Sequence, residues 1–262
     1  MPTAELNGTT INYKDSGGEG PALIFSHGFM MDHTMFDAQV AALAPNYRCV
    51  AWDERGFGDT QATGPFTYWD SAADAIALLD HLGIDQAVFV GMSQGGFLSL
   101  RAALGAPDRV RALVIIDSAA DIDDEETLEG YLGMMAAFTS GDEATVDMVA
   151  DGVAELILGD ADLASIWVPI WKSSLDVHDI NLAGGTLLSR DDISGDVAQI
   201  SCPVLMIHGS EDQAIDVSRA QALAASVQDC RNFVIVDGAA HAPNMSHPEI
   251  VNDAIQEFLD TL

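Results

Sequence analysis

The chain has 262 residues, of which 48% are hydrophobic and 19% charged, a composition that is typical of a folded globular protein and excludes a disordered or fibrous chain. It carries 41 acidic and 10 basic residues, giving a formal net charge of −31. Such a surface repels nucleic acid and anionic membranes, so we expect neither as a partner. The mutual repulsion of the carboxylates predicts adaptation to high salt, where ions screen them. The alternative is an ordinary acidic cytosolic protein.

Cysteine usage and the first residues bear on the compartment. Cys49, Cys202 and Cys230 are odd in number and widely spaced, without a CxxC pair, which predicts neither a disulfide framework nor a zinc site. The first residues lack a basic start followed by an apolar run, and no later apolar stretch approaches membrane-spanning length. We therefore expect a cytoplasmic location.

The predicted elements begin with two short strands at residues 9–13 and 22–25, which we interpret as a hairpin around the glycine-rich turn at 17–20. Helical spacing follows at residues 71–82 and 97–106, between short apolar runs. These runs are typical of strands buried on both faces, and they lie at residues 50–52, 87–90, 112–116, 204–207 and 232–236. The alternation predicts an α/β protein with a parallel sheet and crossover helices.

One segment interrupts this alternation. Residues 121–196 contain no convincing buried strand, whereas apolar residues recur at helical spacing within 128–138, 144–158 and 163–171. A loop of that length is uncommon in a compact domain unless it is functional. The prediction is a core domain formed by residues 1–120 and 197–262, with residues 121–196 inserted as a helical cap or lid.

The segment Gly91-Met92-Ser93-Gln94-Gly95 directly follows the predicted strand at 87–90 and precedes a predicted helix. This is the context of a G-x-S-x-G nucleophile elbow, in which a strained turn exposes the serine above the strand ends. In the alternative interpretation Ser93 is a helix N-cap and the glycines are turn residues. The sequence context favours Ser93 as a nucleophile.

A serine nucleophile needs a base and a group that orients the base. His241, in the loop after the last apolar run, is the best candidate for the base, and Asp212, just beyond the preceding strand, is the best candidate for its carboxylate partner. The chain order Ser, acid, His supports this set. Other carboxylates near strand ends remain alternatives for the acid: Asp117, Glu211 and Asp216. Four other histidines are expected at the solvated surface: His33, His81, His178 and His247.

The reaction also needs two N–H groups directed at the developing oxyanion. One should come from Gln94, the residue after the nucleophile. The other should come from Phe29, because Gly28 allows the backbone after the early strand to turn towards Ser93. His27 is then expected to be a scaffold residue and not a second base.

Taken together, these segments resemble the α/β-hydrolase superfamily over nearly the whole chain. The segments that carry the resemblance lie at residues 27–29, 53–58, 91–96, 106–110, 208–212 and 238–241. The resemblance implies a mostly parallel eight-stranded sheet flanked by helices, with a helical cap inserted after the sixth strand. It also implies that residues 53–58 are structural, with Arg55 bracing loops near the site.

Within that superfamily the chain is similar to the small capped group of carboxylesterases, enol-lactonases and cofactor-free haloperoxidases or perhydrolases. The resemblance implies hydrolysis of a small-molecule ester or lactone through an acyl-enzyme, with no metal or organic cofactor. A true 3-oxoadipate enol-lactonase would be expected to differ at His27-Gly28. Two alternatives remain: a perhydrolase or haloperoxidase, in which peroxide replaces water, and a ligand receptor that has lost turnover. A homodimer is compatible with each of these interpretations.

The predicted cap contributes large apolar side chains that could form the wall of a substrate pocket. Their helical spacing equally fits contacts within a hydrophobic core. The candidates are Met134, Met135, Phe138, Trp167 and Trp171.

Overall fold

Eight strands form one sheet in a computed structural model that describes the chain except residue 175 and the side chains of residues 174 and 177. The strands are β1 (Thr3–Leu6), β2 (Thr9–Asp15), β3 (Ala22–Ser26), β4 (Arg48–Trp52), β5 (Ala87–Met92), β6 (Val110–Ile116), β7 (Val204–Gly209) and β8 (Cys230–Val236). Their order across the sheet is β1-β2-β4-β3-β5-β6-β7-β8. Strands β1 and β2 are antiparallel to their neighbours and the others are parallel. The predicted fold class is confirmed.

Ten α-helices accompany the sheet within the described residues. They are α1 (Asp37–Leu43), α2 (Tyr68–His81), α3 (Gln94–Gly105), α4 (Glu125–Phe138), α5 (Glu143–Ile157), α6 (Ala161–Ser174), α7 (Val177–Leu188), α8 (Val217–Ser226), α9 (Pro243–Ser246) and α10 (Pro248–Leu259). Helices α4 to α7 lie between β6 and β7, in the segment expected to form the cap. None of the described helices is long and apolar enough to cross a membrane.

Helix α7 has no counterpart among the predicted helices. Adjacent glycines at 184 and 185 weaken the helical pattern, because glycine is a poor helix former. At Gly184 the missing side chain has a packing role, since a Cβ there would overlap the sulfur of Met135. A glycine at this position therefore lets α7 approach α4 closely.

The predicted hairpin between residues 9–13 and 22–25 is wrong. Strand β2 pairs with β1 and β4, whereas β3 lies between β4 and β5 in the sheet interior. The actual hairpin joins β1 and β2 through Asn7 and Gly8, both at positive φ (48° and 81°). Asn-Gly is the dipeptide that such a two-residue turn prefers. The glycine-rich segment instead connects a strand near the edge to one in the interior.

Burial of the strands follows their place in the sheet. Every residue of β3, β5 and β7 is buried, with apolar side chains packing on both faces, as their continuous apolar runs predict. Strand β8 is an exception, because it is the sheet edge and only Val236 in it is buried. The expectation of burial on both faces is therefore wrong for β8. The carboxyl ends of β5, β6 and β7 meet at one edge of the sheet, where the candidate site lies.

Candidate active site

Ser93 occupies a sharp turn between β5 and α3. Its backbone adopts φ 53° and ψ −115°, which is strained for a non-glycine residue, and its N–H donates to the Ile116 carbonyl at 2.9 Å. A Cβ on Gly91 would overlap the Gly95 carbonyl, and one on Gly95 would overlap the Ser26 carbonyl. Glycine is therefore required at both positions for β5, α3 and β3 to approach this closely. The half-buried Ser93 stands at the strand ends.

His241 and Asp212 form a buried pair beside this turn. Nδ1 of His241 donates to Oδ2 of Asp212 at 2.8 Å, and the two side chains are 4% and 0% exposed. A ring that donates from Nδ1 leaves Nε2 free to accept a proton. His241 and Ser93 line the same cavity, so the structure brings together all three residues that the sequence predicts to form a triad.

The electrostatics of Asp212 suit an ionised carboxylate. Burial would raise its pKa, but His241 and several hydrogen bonds outweigh burial and lower the pKa to about 2. Its Oδ1 accepts the N–H groups of Ala214 and Ile215 at 2.8 and 3.1 Å. These two bonds fix the carboxylate that orients His241.

The other carboxylates considered for this role do not bond to His241. Asp216 caps α8 by accepting the Ser218 N–H at 2.8 Å, and Glu211 is exposed. Asp117 is fully buried and lies beside Asp212. Asp212 is therefore the carboxylate in direct contact with the histidine.

The two predicted oxyanion donors both lie close to Ser93, one next to it in the chain and the other on the wall of the same cavity. Gln94 is the first residue of α3, so its N–H has no intrahelical acceptor. Phe29 lies on the cavity wall with Ser93. A Cβ on Gly28 would lie 2.6 Å from the Met92 sulfur, so a larger residue there would displace the Met92 side chain. In the described part of the chain, neither N–H donates to another protein group.

His27 is fully buried beneath the Gly28–Phe29 peptide. Its Nε2 accepts the Glu54 N–H at 3.0 Å, so the ring proton resides on Nδ1, which donates to the Gly28 carbonyl at 2.8 Å. Burial lowers the pKa of His27, which keeps the ring neutral. Because this carbonyl and the Phe29 N–H belong to one peptide unit, the histidine fixes the orientation of the predicted donor.

Sequence reasoning missed His208, which is fully buried. Its Nε2 contacts the Ile215 carbonyl at 2.9 Å and Asp212 Oδ2 at 3.3 Å, so it supports the loop that holds the triad carboxylate. The signal was its position four residues before Asp212 at the end of a buried strand. His33, expected at the surface, is instead largely buried, and its Nδ1 bonds to Asp53 at 2.8 Å.

Arg55 contacts Asp74 on α2 and the Asn7 carbonyl, so it connects the middle of α2 to the β1–β2 turn. Its neighbour Asp53 accepts the N–H groups of His33 and Asp59 at 2.9 and 3.1 Å. Both side chains connect loops of the core.

The cavity above Ser93 is walled by the core on one side and by α4, α5 and α7 on the other. Of the predicted wall residues, Met134 lines it, whereas Met135, Phe138, Trp167 and Trp171 do not. Both tryptophans are buried in the hydrophobic core, and Trp171 donates from Nε1 to the Met30 carbonyl at 2.8 Å. The helical spacing of these residues reflects core packing. Helices α4, α5 and α7 instead contribute Tyr131, Val153, Leu156, Ile157 and Leu187.

The cavity wall holds no lysine or arginine among the described residues. Its one acidic residue, Asp123, bonds to Arg190 and Arg219, each at 2.6 Å. These bonds outweigh burial and lower the pKa of Asp123. The charge of Asp123 is thus already compensated, and the remaining wall is mainly apolar.

Two groups of side chains in the described part of the chain have the geometry of metal ligands. One is Asp32, His33 and Asp53, and the other is Asp117, Asp212 and His241. In both groups the atoms already bond to protein partners, as in the His33–Asp53 and His241–Asp212 bonds. We assign no metal to either group.

Comparisons with known proteins show the family to which the chain belongs. Residues 21–152 match the family model described as alpha/beta hydrolase fold, and the chain belongs to this family. It is 29% identical to 3-oxoadipate enol-lactonase 1 of Acinetobacter baylyi, covering 92% of this chain and 90% of that protein. It is 27% identical to a non-heme haloperoxidase of Rhodococcus erythropolis, covering 97% of each chain. The structure of a thermophilic esterase from Thermogutta terrifontis superposes with a TM-score of 0.86 at 26% identity, covering 99% of this chain and 96% of that one. The relatives support a hydrolase that acts on esters or lactones.

Proposed function

We propose that this protein is a serine hydrolase that cleaves carboxylic esters, including lactones, through an acyl-enzyme. The observation that carries the proposal is the buried His241–Asp212 bond beside a cavity that also holds the strained Ser93. The names of the relatives, an enol-lactonase and an esterase, support the same reaction class.

In the proposed reaction Ser93 Oγ attacks the ester carbonyl carbon while His241 Nε2 takes the hydroxyl proton. The carbonyl oxygen becomes an oxyanion held by the N–H groups of Phe29 and Gln94. His241 then gives its proton to the departing alcohol as the carbon–oxygen bond breaks. Water, deprotonated by His241, hydrolyses the acyl-enzyme and releases the acid. Asp212 stays ionised and stabilises the imidazolium in both halves.

The test compares Ser93→Ala with Ser165→Ala, which removes an exposed hydroxyl on α6. We expect Ser93→Ala to abolish turnover of p-nitrophenyl acetate and labelling by a fluorophosphonate, with the fold unchanged by circular dichroism. Ser165→Ala should match the wild type in both assays. Wild-type turnover by Ser93→Ala would overturn the proposal. A wild-type chain that neither turns over nor labels would support the ligand-receptor alternative.

A second candidate activity is perhydrolysis, in which hydrogen peroxide replaces water at the acyl-enzyme and releases a peracid. The similarity to a non-heme haloperoxidase supports perhydrolysis as a second candidate. Bromination of a phenol dye in acetate, bromide and peroxide tests it. Ser93→Ala should abolish that bromination, whereas bromination that persists in the variant would exclude an acyl-enzyme route.

A further inference from the structure

Glu54 is a buried carboxyl group that takes no part in the proposed reaction. It follows β4 and is 1% exposed. Its Oε2 accepts a hydrogen bond from Gln94 Nε2 at 3.1 Å, while Oε1 has no partner among the described residues. Burying a polar group costs free energy unless the group is hydrogen-bonded, and Oε1 is not. The free-energy cost of this buried carboxyl group beside the nucleophile elbow therefore indicates a functional role.

The Glu54 side chain fixes one side of the proposed oxyanion hole. The Gln94 side chain is held at both ends, since its Nε2 donates to Glu54 and its Oε1 accepts from the Tyr68 hydroxyl at 3.4 Å. Gln94 also supplies one of the two proposed oxyanion N–H groups. Anchoring its side chain restricts rotation of the residue and of the first turn of α3.

The Glu54 main chain fixes the other side. Its N–H donates to His27 Nε2, and His27 Nδ1 donates to the carbonyl of the peptide that carries the Phe29 N–H. One residue is thus connected to both proposed oxyanion donors. No basic side chain contacts the Glu54 carboxyl in the described part of the chain. Burial, followed by the charge of Asp74, raises its pKa well above the usual value, which favours the neutral acid.

We propose that Glu54 is a positioning residue of the oxyanion hole, which aligns the Gln94 N–H through its side chain and the Phe29 N–H through His27. This inference rests on the proposed function. A neutral acid suits the position, because an ionised carboxylate beside the site would oppose the negative charge that forms on the substrate oxygen.

The test uses Glu54→Gln and Glu54→Leu, two variants of similar size. Glutamine retains an oxygen that accepts from Gln94, and leucine does not. We expect Glu54→Gln to keep kcat within about 2-fold of the wild type. Glu54→Leu should lower kcat by at least about 10-fold and leave KM unchanged. The loss of kcat should be smaller than the roughly 10²–10³-fold loss that follows deletion of a whole oxyanion donor. Its affinity for a trifluoromethyl ketone, which mimics the oxyanion, should fall by the same factor as kcat/KM.

All rates are expressed per active site titrated with a fluorophosphonate, which removes the effect of misfolded molecules. Should Glu54→Leu fail to fold, Gln94→Leu, which keeps its own N–H, should show the same split between kcat and KM. Equal kcat per titrated site in the wild type and the leucine variants would overturn the positioning role while leaving the proposed function intact. A wild-type chain without ester turnover would overturn both.

Discussion

The carboxyl groups of Asp117 and Asp212 face each other at the ends of β6 and β7, with oxygens that lie within 4.8 Å of one another and of a His241 ring nitrogen. Asp117 is fully buried, and its Oδ1 accepts the Gly209 N–H at 2.9 Å. Burial and the charge of Asp212 raise the pKa of Asp117 well above its usual value, whereas the pKa of Asp212 falls to about 2. Asp212 is therefore the member of the pair that favours the ionised form, and Asp117 the member that favours the neutral form.

This arrangement predicts that Asp117 replaces Asp212 in part when Asp212 is removed. Loss of the triad carboxylate typically costs about 10⁴-fold in kcat. We expect Asp212→Ala to retain at least about 10-fold more activity than Asp117→Ala/Asp212→Ala, since a second carboxylate remains within reach of His241. Asp117→Asn should stay near the wild type, because its amide can donate to Asp212 and accept from Gly209. Equal residual kcat in Asp212→Ala and the double variant would contradict this prediction.

The different placements of Met134 and Trp171 predict different phenotypes. Met134→Ala enlarges the cavity, so kcat/KM for bulkier acyl groups should rise by about 10-fold relative to kcat/KM for acetate. This is the order of magnitude that one or two methylenes contribute in an apolar pocket. Trp171→Ala removes a core side chain and should lower the free energy of unfolding by about 3–5 kcal/mol. A panel of p-nitrophenyl esters and urea unfolding measure the two effects. A shift in acyl preference caused by Trp171→Ala alone would place that side chain at the substrate.

The lack of cations on the described cavity wall predicts discrimination against anionic substrates. We expect p-nitrophenyl hexanoate to be hydrolysed with a kcat/KM at least about 10-fold above that of mono-p-nitrophenyl adipate, which has the same acyl length but ends in a carboxylate. Burial of an unpaired carboxylate in an apolar pocket carries a desolvation penalty. The comparison is repeated in molar NaCl, which screens the net charge of −31 but does not remove the desolvation penalty of the substrate carboxylate. Equal rates for the two esters would contradict the prediction.

The prediction of the proposed catalytic residues depends on local patterns in the sequence. The turn at Ser93 requires glycine at 91 and 95, and this requirement is visible in the sequence because both residues belong to one short segment. The Asp212–His241 contact joins residues 29 positions apart, but the chain order of a triad was enough to propose it. The sequence pattern therefore predicted the main site residues and the fold class.

The rest depended on tertiary packing, which the pattern does not encode. The spacing of Trp167 and Trp171 marks a buried helix face, but only the packing of α6 decides whether that face meets the core or the cavity. The burial of Glu54 follows from contacts with residues 27 and 40 positions away, which no local pattern in the sequence indicates. The hairpin error arose because two apolar strands separated by glycines can pair with each other or with other strands.

The raised pKa of Glu54 predicts a pH-dependent cost in stability. Burial in the folded chain favours the neutral form of this group, whereas the unfolded chain ionises it above the ordinary glutamate pKa of 4.5. The stability that the neutral acid contributes is therefore complete below that pH and is lost as the pH rises towards the folded value. We expect Glu54→Gln, which stays neutral, to have a higher melting temperature than the wild type at pH 8. This difference in melting temperature should be smaller at pH 4. Thermal unfolding at both pH values checks this, and a pH-independent difference would show that folding does not raise the pKa of Glu54.

The surplus of carboxylates predicts that salt stabilises the fold. Nine of the 10 basic side chains contact an aspartate in the described structure, so most of the 41 acidic groups lack a basic partner. We expect the melting temperature to rise from millimolar to molar NaCl as repulsion is screened. Replacing the exposed Glu126, Glu129 and Glu155 with glutamine should reduce this rise, whereas an equal increment in sucrose should affect both chains alike. A melting temperature that stays constant in NaCl would contradict adaptation to high salt.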